Sequence, residues 1–447
     1  TDYKTYYFNM IASFGNFLRS QPANLFNHIA YIQVKTGCTG DEVAYKGAPL
    51  NASYIISDNQ WLAFRLEVFE KFRQTFNTGN SNTQIGLLFN NIDPVDEPLE
   101  WQWVSNNITY GFGIKGGAYN RGHHLSDEKS YKEKWYKYLV NPKGLKLFSA
   151  SEMDQSWQKG YFILNPEIGF YWAVLSGLNV GLSTTNLSKS AVKYAVEHDE
   201  IRQIYKMYNK YAQQVFPQTA QFAYSVFHEG LNAANTTRFP EVIFGKATEK
   251  NSDRYSKICA AFVSRGAKID DIQSVALGQV AQRDVQKGYN DVGWDIQEGN
   301  YERFLTQIKA DETSIGLFRV RGNIDEKSSK YDRFARSFEN ATGKNTMYFG
   351  FDEEMFVNGK PKSLKFTITW LDKNAGSTWA LKYNDGQKAR TAVEVKGKGD
   401  NTWKSVTVIV ADMSLKHQGE FQSDFVLVNT DKADDIFNGI EVEIIRK

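Results

Sequence analysis

Strands and helices alternate over roughly the first two hundred residues, and this alternation constrains the fold more than any other feature of the sequence. The predicted strands are short apolar runs, and the predicted helices carry apolar residues at helical spacing. An alternation of this kind favours βα units around a parallel sheet. The predicted strands cover 28–34, 84–90, 109–117, 145–151 and 178–185, and the predicted helices cover 5–24, 57–76, 99–107, 166–176 and 199–215.

After about residue 293 the helices give way to short alternating strands with turn signals between them. Regular spacing of this kind is typical of an antiparallel β-sandwich. Phe366, Ile368 and Trp370 alternate along one predicted strand, as a single buried face requires. We therefore expect an α/β region followed by an all-β region. The predicted domains are a barrel portion at 1–217, a helical connector at 218–292 and a sandwich at 293–447.

Acidic residues follow two of the predicted strands. Asp41 and Glu42 come after the strand at 28–34, and Glu152 comes after the strand at 145–151. An α/β barrel presents its catalytic groups at the carboxyl ends of its strands. Two carboxyl groups about 5–5.5 Å apart can cleave a glycosidic bond with retention of configuration. The sequence therefore predicts a retaining glycosidase.

Glu152 is the predicted nucleophile of this reaction, although a glutamate at such a position is also compatible with a solvated surface loop. Asp41 and Glu42 are adjacent, so only one of them is expected to face a cleft. We favour Glu42 as the acid/base for its longer reach, and the choice between the two stays open.

Further polar and aromatic side chains near the strand ends are candidates for sugar binding. A neighbouring pair of histidines without a third ligand at metal spacing does not indicate a metal site, and the predicted chemistry needs no metal and no organic cofactor. Tryptophans stack on sugar rings, but a large core uses them equally. The candidates are Gln33, Lys35, Asn90, Lys115, His123, His124, Trp101, Trp103, Trp157 and Trp172.

Composition and charge exclude several other classes of protein. A formal net charge of +2 argues against a nucleic-acid partner, and no run of eighteen apolar residues suggests a membrane span. Cys38 and Cys259 show no metal spacing and are expected to be free thiols. The chain opens on Thr1 without a signal sequence, so we expect either a removed signal peptide or a start that is not the natural one.

Three segments carry a resemblance to a known group of enzymes. Ile-Gln-Val-Lys-Thr-Gly-Cys-Thr-Gly-Asp-Glu (32–42) with Tyr-Lys-Gly (45–47), Gly-Ile-Lys-Gly-Gly (113–117) and Phe-Ser-Ala-Ser-Glu-Met-Asp (148–154) resemble strands four, six and seven of clan A glycoside hydrolases. Bacterial enzymes of the β-galactosidase, agarase and porphyranase kinds are the most similar. This resemblance implies a retaining (β/α)8-type barrel, with the acid/base after strand four and the nucleophile at the end of strand seven.

Carried over to this chain, the resemblance assigns the acid/base role to Asp41 or Glu42 and the nucleophile role to Glu152. The family's Asn-Glu pair is replaced here by Gly-Asp-Glu, which keeps the acid/base choice open. Strands four to eight of the barrel are visible, so the resemblance implies that an N-terminal fragment supplies the first three.

The expected protein is a secreted, periplasmic or outer-surface bacterial enzyme that cleaves a plant or algal polysaccharide or oligosaccharide. The alternative is a carbohydrate-binding protein with a degenerate barrel and no catalysis.

Overall fold

The structure is a computed structural model that describes residues 2–38, 43–79, 83–90, 92, 97–116, 146–154, 156–158, 162–212, 214–270 and 289–446. The chain forms two compact units. The first unit contains the described residues of 1–117, 131–152 and 181–186, and the second contains those of 153–180 and 187–447.

The first unit is built on one sheet with helices between its strands. The helices are α1 (Asp2–Arg19), α2 (Ala23–Phe26), α3 (Asp58–Phe76) and α4 (Pro98–Asn107). The strands are β1 (Tyr31–Gln33), β2 (Gly86–Asn90), β3 (Gly111–Gly116), β4 (Lys146–Asp154) and β5 (Thr184–Leu187).

The sheet pairs its five strands in chain order, β1-β2-β3-β4-β5, and the β1–β2, β2–β3 and β3–β4 pairings are parallel. Within the described residues, no further strand joins either edge of this sheet. The expected (β/α)8-type barrel is therefore wrong for this structure. Five strands in sequential order form an arc of such a barrel, whereas a closed barrel of this type requires eight.

The fifth predicted strand, 178–185, was also placed too early. Leu178 and Asn179 end a helix that begins at Pro166, and β5 starts only at Thr184. The helix carries apolar residues on all sides and is buried almost throughout. A continuous apolar run fits a buried helix as well as a buried strand, so its periodicity could not show where the helix ends.

The helix α3 covers one face of the sheet, which we call the helical face. Ser57 is its N-cap: the Ser57 hydroxyl accepts from the Gln60 amide at 3.3 Å, and the Gln60 side-chain oxygen accepts in return from the Ser57 amide at 3.0 Å. Val68, Phe69, Phe72 and Phe76 of its apolar stripe are buried, whereas Trp61 and Phe64 at the start of the helix are half-buried. Phe69 meets Phe89 of β2 at a ring-centroid distance of 4.8 Å. Apolar side chains therefore fill the space between the helical face of the sheet and α3.

The opposite face of the sheet, which we call the second face, contains an aromatic layer. The ring of Phe148 in β4 stacks against Tyr31 in β1, with ring centroids 5.3 Å apart. Two glycines of the intervening strands, Gly86 and Gly113, leave room for this crossing, because a Cβ atom at Gly113 would lie 2.1 Å from Cε2 of Phe148. Phe148 thus binds together the β1, β2, β3 and β4 strands from this side.

The second unit contains the remaining helices and mostly antiparallel strands. Its helices are α5 (Pro166–Asn179), α6 (Lys189–Glu197), α7 (Asp199–Ala212), α8 (Glu241–Phe244), α9 (Ser252–Ala260) and α10 (Ala310–Thr313). Its strands are β6 (Phe222–Val226), β7 (Leu231–Asn232), β8 (Val292–Gly293), β9 (Tyr301–Arg303), β10 (Leu305–Ile308), β11 (Ile315–Leu317), β12 (Ala335–Ser337), β13 (Thr346–Phe351), β14 (Ser363–Asp372), β15 (Thr378–Asn384), β16 (Ala389–Lys396), β17 (Thr402–Val410), β18 (Phe425–Asn429) and β19 (Ile436–Ile445).

Two antiparallel sheets of the second unit share one hydrophobic core. The first has the order β10-β13-β18-β15-β16, and the second has the order β11-β12-β19-β14-β17, with β6 paired to β19 and β9. Phe366 of β14 meets Phe425 of β18 at 5.0 Å, and Trp379 lies fully buried between Trp370 and Phe437. The predicted alternation of β14 is confirmed, because its even-numbered apolar residues are buried.

The strand β6 lies inside the range 218–292 that the sequence assigned to a helical connector, and it pairs with β19 from Gly439 to Glu443. Beside it, the pairing of β14 with β19 shifts register: Thr369 pairs with Gly439 but Trp370 pairs with Phe437. Asn438 is therefore the extra residue of a β-bulge.

Asp435, immediately before β19, carries a buried carboxyl group with an incomplete set of hydrogen bonds. Its Oδ1 atom accepts from the Ser377 hydroxyl at 2.9 Å, whereas its Oδ2 atom has no partner among the described residues. Burial raises the pKa of this carboxyl to about 6. The folded state therefore keeps a proton that the unfolded state releases between about pH 4 and pH 6, and stability falls as the pH rises through this window.

We expect Asp435→Asn to raise the free energy of unfolding by about 1–3 kcal/mol at about pH 8 and to change it little near pH 4. The amide oxygen still accepts from Ser377, and the ionisation that is unfavourable in the folded state is removed. Urea unfolding at both pH values measures the effect. Glu326→Gln, at an exposed position, is the matched control. An offset of equal size at both pH values would contradict the assignment.

Candidate functional site

Three neighbouring strands of the first unit bring polar positions to the carboxyl edge of the parallel sheet. Asn90 at the end of β2 pairs with Lys115 in β3, and Lys115 pairs with Ala150 in β4. Residues that pair directly in a sheet lie on the same face, and these three lie on the second face, two positions beyond the level of Phe148. We call Asn90, Lys115 and Ala150 the carboxyl row.

Gln33 and Lys35 extend this arrangement on β1. Gln33 pairs with Leu88, and Leu88 stands two positions before Asn90 in β2. Gln33 therefore lies on the second face, at the level of the sheet just before the carboxyl row. Its Nε2 atom is buried and has no hydrogen-bond partner among the described residues. Lys35 follows the end of β1, and its backbone carbonyl accepts a hydrogen bond from the Tyr7 hydroxyl. The unpartnered amide of Gln33 is a donor that a ligand hydroxyl would satisfy.

Glu152 lies within β4, two positions after Ala150. Because positions two apart in a strand share a face, the backbone assigns Glu152 to the second face, next to the carboxyl row. The side chain of Glu152 lies outside the described part of the structure. Four of the predicted polar residues therefore lie near the carboxyl edge of the second face: Gln33, Asn90, Lys115 and Glu152.

The serines beside Ala150 bind strands together. The Ser149 hydroxyl donates to the Gly181 carbonyl at 2.6 Å, and the Ser151 hydroxyl lies 3.4 Å from the Thr185 hydroxyl. These contacts connect β4 to the segment that forms β5. The two serines before Glu152 therefore have a structural role.

Several predicted site residues fall outside the described residues: Asp41, Glu42, His123 and His124. The chain on either side of Asp41 and Glu42 is described. Cys38, shortly after β1, pairs with Val43 in an antiparallel bridge, and the Cys38 amide donates to the Val43 carbonyl at 3.0 Å. Cys38 and Val43 therefore lie beside each other.

The predicted stacking residues do not lie on the second face. Trp101 and Trp103 belong to α4 and pack on the helical face, where Trp101 contacts Phe112 and Trp103 contacts Phe69. Trp157 belongs to the second unit, where its Nε1 atom donates to Ser190 at 3.1 Å. Trp172, also in the second unit, is fully buried. Within the first unit, Trp101 and Trp103 therefore lie on the face of the sheet opposite to the carboxyl row.

The described residues contain no cluster of metal ligands, and both cysteines are free. Among the described residues, no group of three or more His, Cys, Asp or Glu is arranged to hold a metal ion. Cys38 and Cys259 are free thiols, as predicted, and burial raises the pKa of Cys259 to about 12. No helix in the described part of the chain is both long and apolar enough to cross a bilayer.

The sequence did not reveal a cleft in the second unit. Its wall includes Lys206 and Lys210 of α7, Lys330 and Tyr331 of the turn before β12, and Asn438 of the β-bulge. The one available signal was the spacing of Lys206 and Lys210, four residues apart on one helix. Their partners in the cleft come from segments far away in the chain, which no local pattern connects.

Comparisons with known proteins leave the family open. No protein-family model and no curated protein sequence matches the chain. Among solved structures, it is similar to the K2 cleaved adhesin domain of Lys-gingipain, at 13% identity and a TM-score of 0.21, over 32% of this chain and 89% of that chain. The K3 domain from Porphyromonas gingivalis W83 gives 12% identity and a TM-score of 0.20, over 31% of this chain and 91% of that chain. Nothing about this chain is inferred from similarities this weak.

Proposed function

We propose that this protein hydrolyses a plant or algal polysaccharide or oligosaccharide, with retention of configuration, at the carboxyl edge of its parallel sheet. The observation that supports the proposal is the carboxyl row: Asn90 and Lys115 stand side by side, and Glu152 follows two positions after their neighbour Ala150. Ligand sites of parallel α/β sheets lie beyond the carboxyl ends of the strands.

In the proposed reaction, the Glu152 carboxylate attacks the anomeric carbon while Asp41 or Glu42 gives a proton to the leaving oxygen. The bond between that carbon and that oxygen breaks, and a glycosyl ester of Glu152 forms. Water then attacks the same carbon and gives its proton to the Asp41 or Glu42 carboxylate, which releases Glu152. Gln33, Asn90 and Lys115 supply an amide donor, a second amide and an ammonium group for the sugar hydroxyls.

The proposed substrate also suggests where the protein works. A polysaccharide does not cross a bilayer, so the enzyme would act outside the cytoplasm, in the periplasm, on the outer surface or after secretion. A further fragment of chain that adds strands to the edges of the sheet would be a partner of this site. His123 and His124 remain proposed contacts to the same substrate.

The stereochemistry of the product tests the proposal directly. We expect the protein to release reducing ends from at least one member of a panel of agar, porphyran, galactan and plant cell-wall oligosaccharides. Time-resolved proton NMR should show that the first product has the anomeric configuration of the substrate, before mutarotation mixes the two. An initial product of inverted configuration would contradict the two-step mechanism, because an inverting site positions a water molecule instead of a carboxylate nucleophile.

A second function has one observation in its favour. Within the described residues the sheet stays at five strands and does not close into a barrel. An open sheet of this kind is compatible with a carbohydrate-binding protein that does not cleave. Binding to a member of the panel without any release of reducing ends would favour this second candidate over the hydrolase.

A further inference from the structure

A cleft of about 300 Å³ lies in the second unit, far in sequence from the carboxyl row. One wall is α7, and the other is the sheet at the β-bulge of β19 together with the turn at 330–332. The lining residues are Tyr171, Gln203, Ile204, Lys206, Met207, Lys210, Val226, Lys330, Tyr331, Thr369, Asn438, Gly439 and Glu441. A volume of about 300 Å³ lies at the lower end of the size range of small-ligand sites.

The cleft carries excess positive charge. Three lysines and one glutamate line it, which leaves a net charge of +2. Lys210 is held by Glu441 at 2.8 Å, and Lys330 is held by Glu167 at 2.9 Å. Lys206 forms no ion pair with any residue that the structure describes. Its ammonium group is therefore the cation that a bound anion would meet.

The cleft also has an aromatic wall. Tyr171 and Tyr331 meet edge to face with ring centroids 5.7 Å apart, and Tyr331 packs on Trp403 at 5.6 Å. The Tyr171 hydroxyl donates to Asn438 at 3.2 Å, which holds this ring in place. Gln203 and Thr369 also line the cleft. The Gln203 amide nitrogen donates to Asp199 at 3.3 Å, and the Thr369 hydroxyl lies 3.1 Å from the Ser405 hydroxyl. An aromatic wall beside polar groups is suited to a ligand that carries hydroxyls.

We infer that this cleft binds an acidic sugar unit, one that carries a carboxylate or a sulfate group. Lys206 would pair with the anionic group, and Tyr331 would pack against the sugar. The side-chain oxygens of Gln203 and Thr369 would accept from its hydroxyls. This inference concerns a second glycan site and does not require the protein to hydrolyse anything.

Other occupants fit the cleft less well. A peptide that adds a strand needs an open sheet edge, but β14 and β19 in the wall are each paired on both sides. A nucleotide phosphate is usually held by backbone amides at a helix N-terminus or by arginine forks. The α7 residues of the wall, Gln203 to Lys210, lie beyond the first turn of the helix, and no arginine lines the cleft.

Calorimetric titration of the full chain with three matched oligosaccharides tests the inference. We expect an oligouronate and a sulfated galactan oligomer to bind, and a neutral galacto-oligosaccharide of equal length to bind at least about fivefold more weakly. Binding of the acidic oligomers should weaken as salt increases. Equal affinity for all three oligomers would overturn the inference, and so would binding of inorganic phosphate or ATP that matches the acidic oligomers.

Two variants assign the binding to this cleft. Lys206→Gln should weaken binding of the acidic oligomers about five- to tenfold and leave the neutral oligomer unaffected. Lys193→Gln makes the same change on the exposed surface of α6 and should behave as wild type. Tyr331→Leu should weaken binding of all bound sugars by about two- to tenfold, with thermal unfolding as the check of folding. If Lys206→Gln and Lys193→Gln bind alike, the cleft is not the site. Because only binding is measured, a failed hydrolase proposal leaves this result intact.

Discussion

Glu152→Gln is expected to lower kcat by at least about 10⁴-fold on any polysaccharide that the protein cleaves, with little change in the dissociation constant for the glycan. Glutamine keeps the size and the hydrogen-bonding oxygen of the side chain, but its amide is too weak a nucleophile to attack the anomeric carbon. Reducing-end release measures kcat, and calorimetry with a non-cleaved oligosaccharide measures binding. Glu197→Gln, at an exposed position of α6, should keep wild-type turnover.

A smaller side chain at the same position distinguishes a nucleophile from an acid/base. Glu152→Ala leaves a space into which azide can enter, and azide should restore cleavage of an activated aryl glycoside by attacking the anomeric carbon itself. The product is then a glycosyl azide of inverted configuration, because one displacement replaces two. A glycosyl azide of retained configuration would instead identify Glu152 as the acid/base and would reverse the proposed roles.

The same logic resolves the choice between Asp41 and Glu42. The acid/base protonates the leaving oxygen, so its loss matters little when the leaving group is already a stable anion. Asp41→Asn and Glu42→Gln are therefore compared on a dinitrophenyl glycoside and on the natural oligosaccharide. The variant that keeps activity on the first and loses it on the second carries the acid/base. If neither variant shows this split, the proton donor lies elsewhere in the chain.

The local elements of the first unit could be predicted because their signals are local. The stripe of α3, its Ser57 cap and the core of β2 each follow from residues within one or two turns of each other. Asn90 and Lys115 were also assigned to strand ends from the sequence, and in the structure they pair with each other near the carboxyl edge of the sheet. Closure of the barrel could not be predicted in the same way, since it depends on how many strands join the sheet and not on any one of them.

The polar interior of the second unit was not predicted because its partners are far apart in sequence. In the sequence, His228 and Glu229 match only a fragment of a zinc-protease motif, whose second histidine is missing. In the structure, Glu229 is a fully buried carboxylate, and the arginine that faces it, Arg336, is 107 residues away. The cleft at α7 escaped prediction for the same reason, since its lysines and tyrosines come from separate segments.

Arg336 in β12 is the centre of a buried polar network that connects several segments of the second unit. Its guanidinium is 1% exposed and lies 3.3 Å from Glu229. The same group donates to Asn300 at 2.9 Å and to Asp311 at 2.9 Å. Glu229 has a second cationic partner, because Arg238 donates to its other oxygen at 3.1 Å. Burial raises the pKa of the Glu229 carboxyl above its ordinary value, and the two arginines offset only part of this increase.

Arg336→Met is expected to lower the free energy of unfolding by about 3–5 kcal/mol. Methionine fills much of the space but leaves Glu229 buried with one cation, and the Asn300 side-chain oxygen keeps only the His228 amide as a donor. An uncompensated buried charge is costly. Urea unfolding followed by circular dichroism measures the loss. The control is Arg202→Met, which breaks an ion pair between two exposed side chains, Arg202 and Asp199, and should leave the free energy of unfolding unchanged within error.

The pH dependence and a double variant separate lost charge pairing from lost packing. In Arg336→Met the folded-state pKa of Glu229 rises further, so the folded state gains a proton and the variant loses most stability at high pH. The deficit should therefore be larger at about pH 8 than at about pH 5. Adding Glu229→Gln removes the buried charge, and the double variant should be less destabilised than the sum of the two single variants. A deficit that is independent of pH and strictly additive would show that Arg336 stabilises the fold by packing alone.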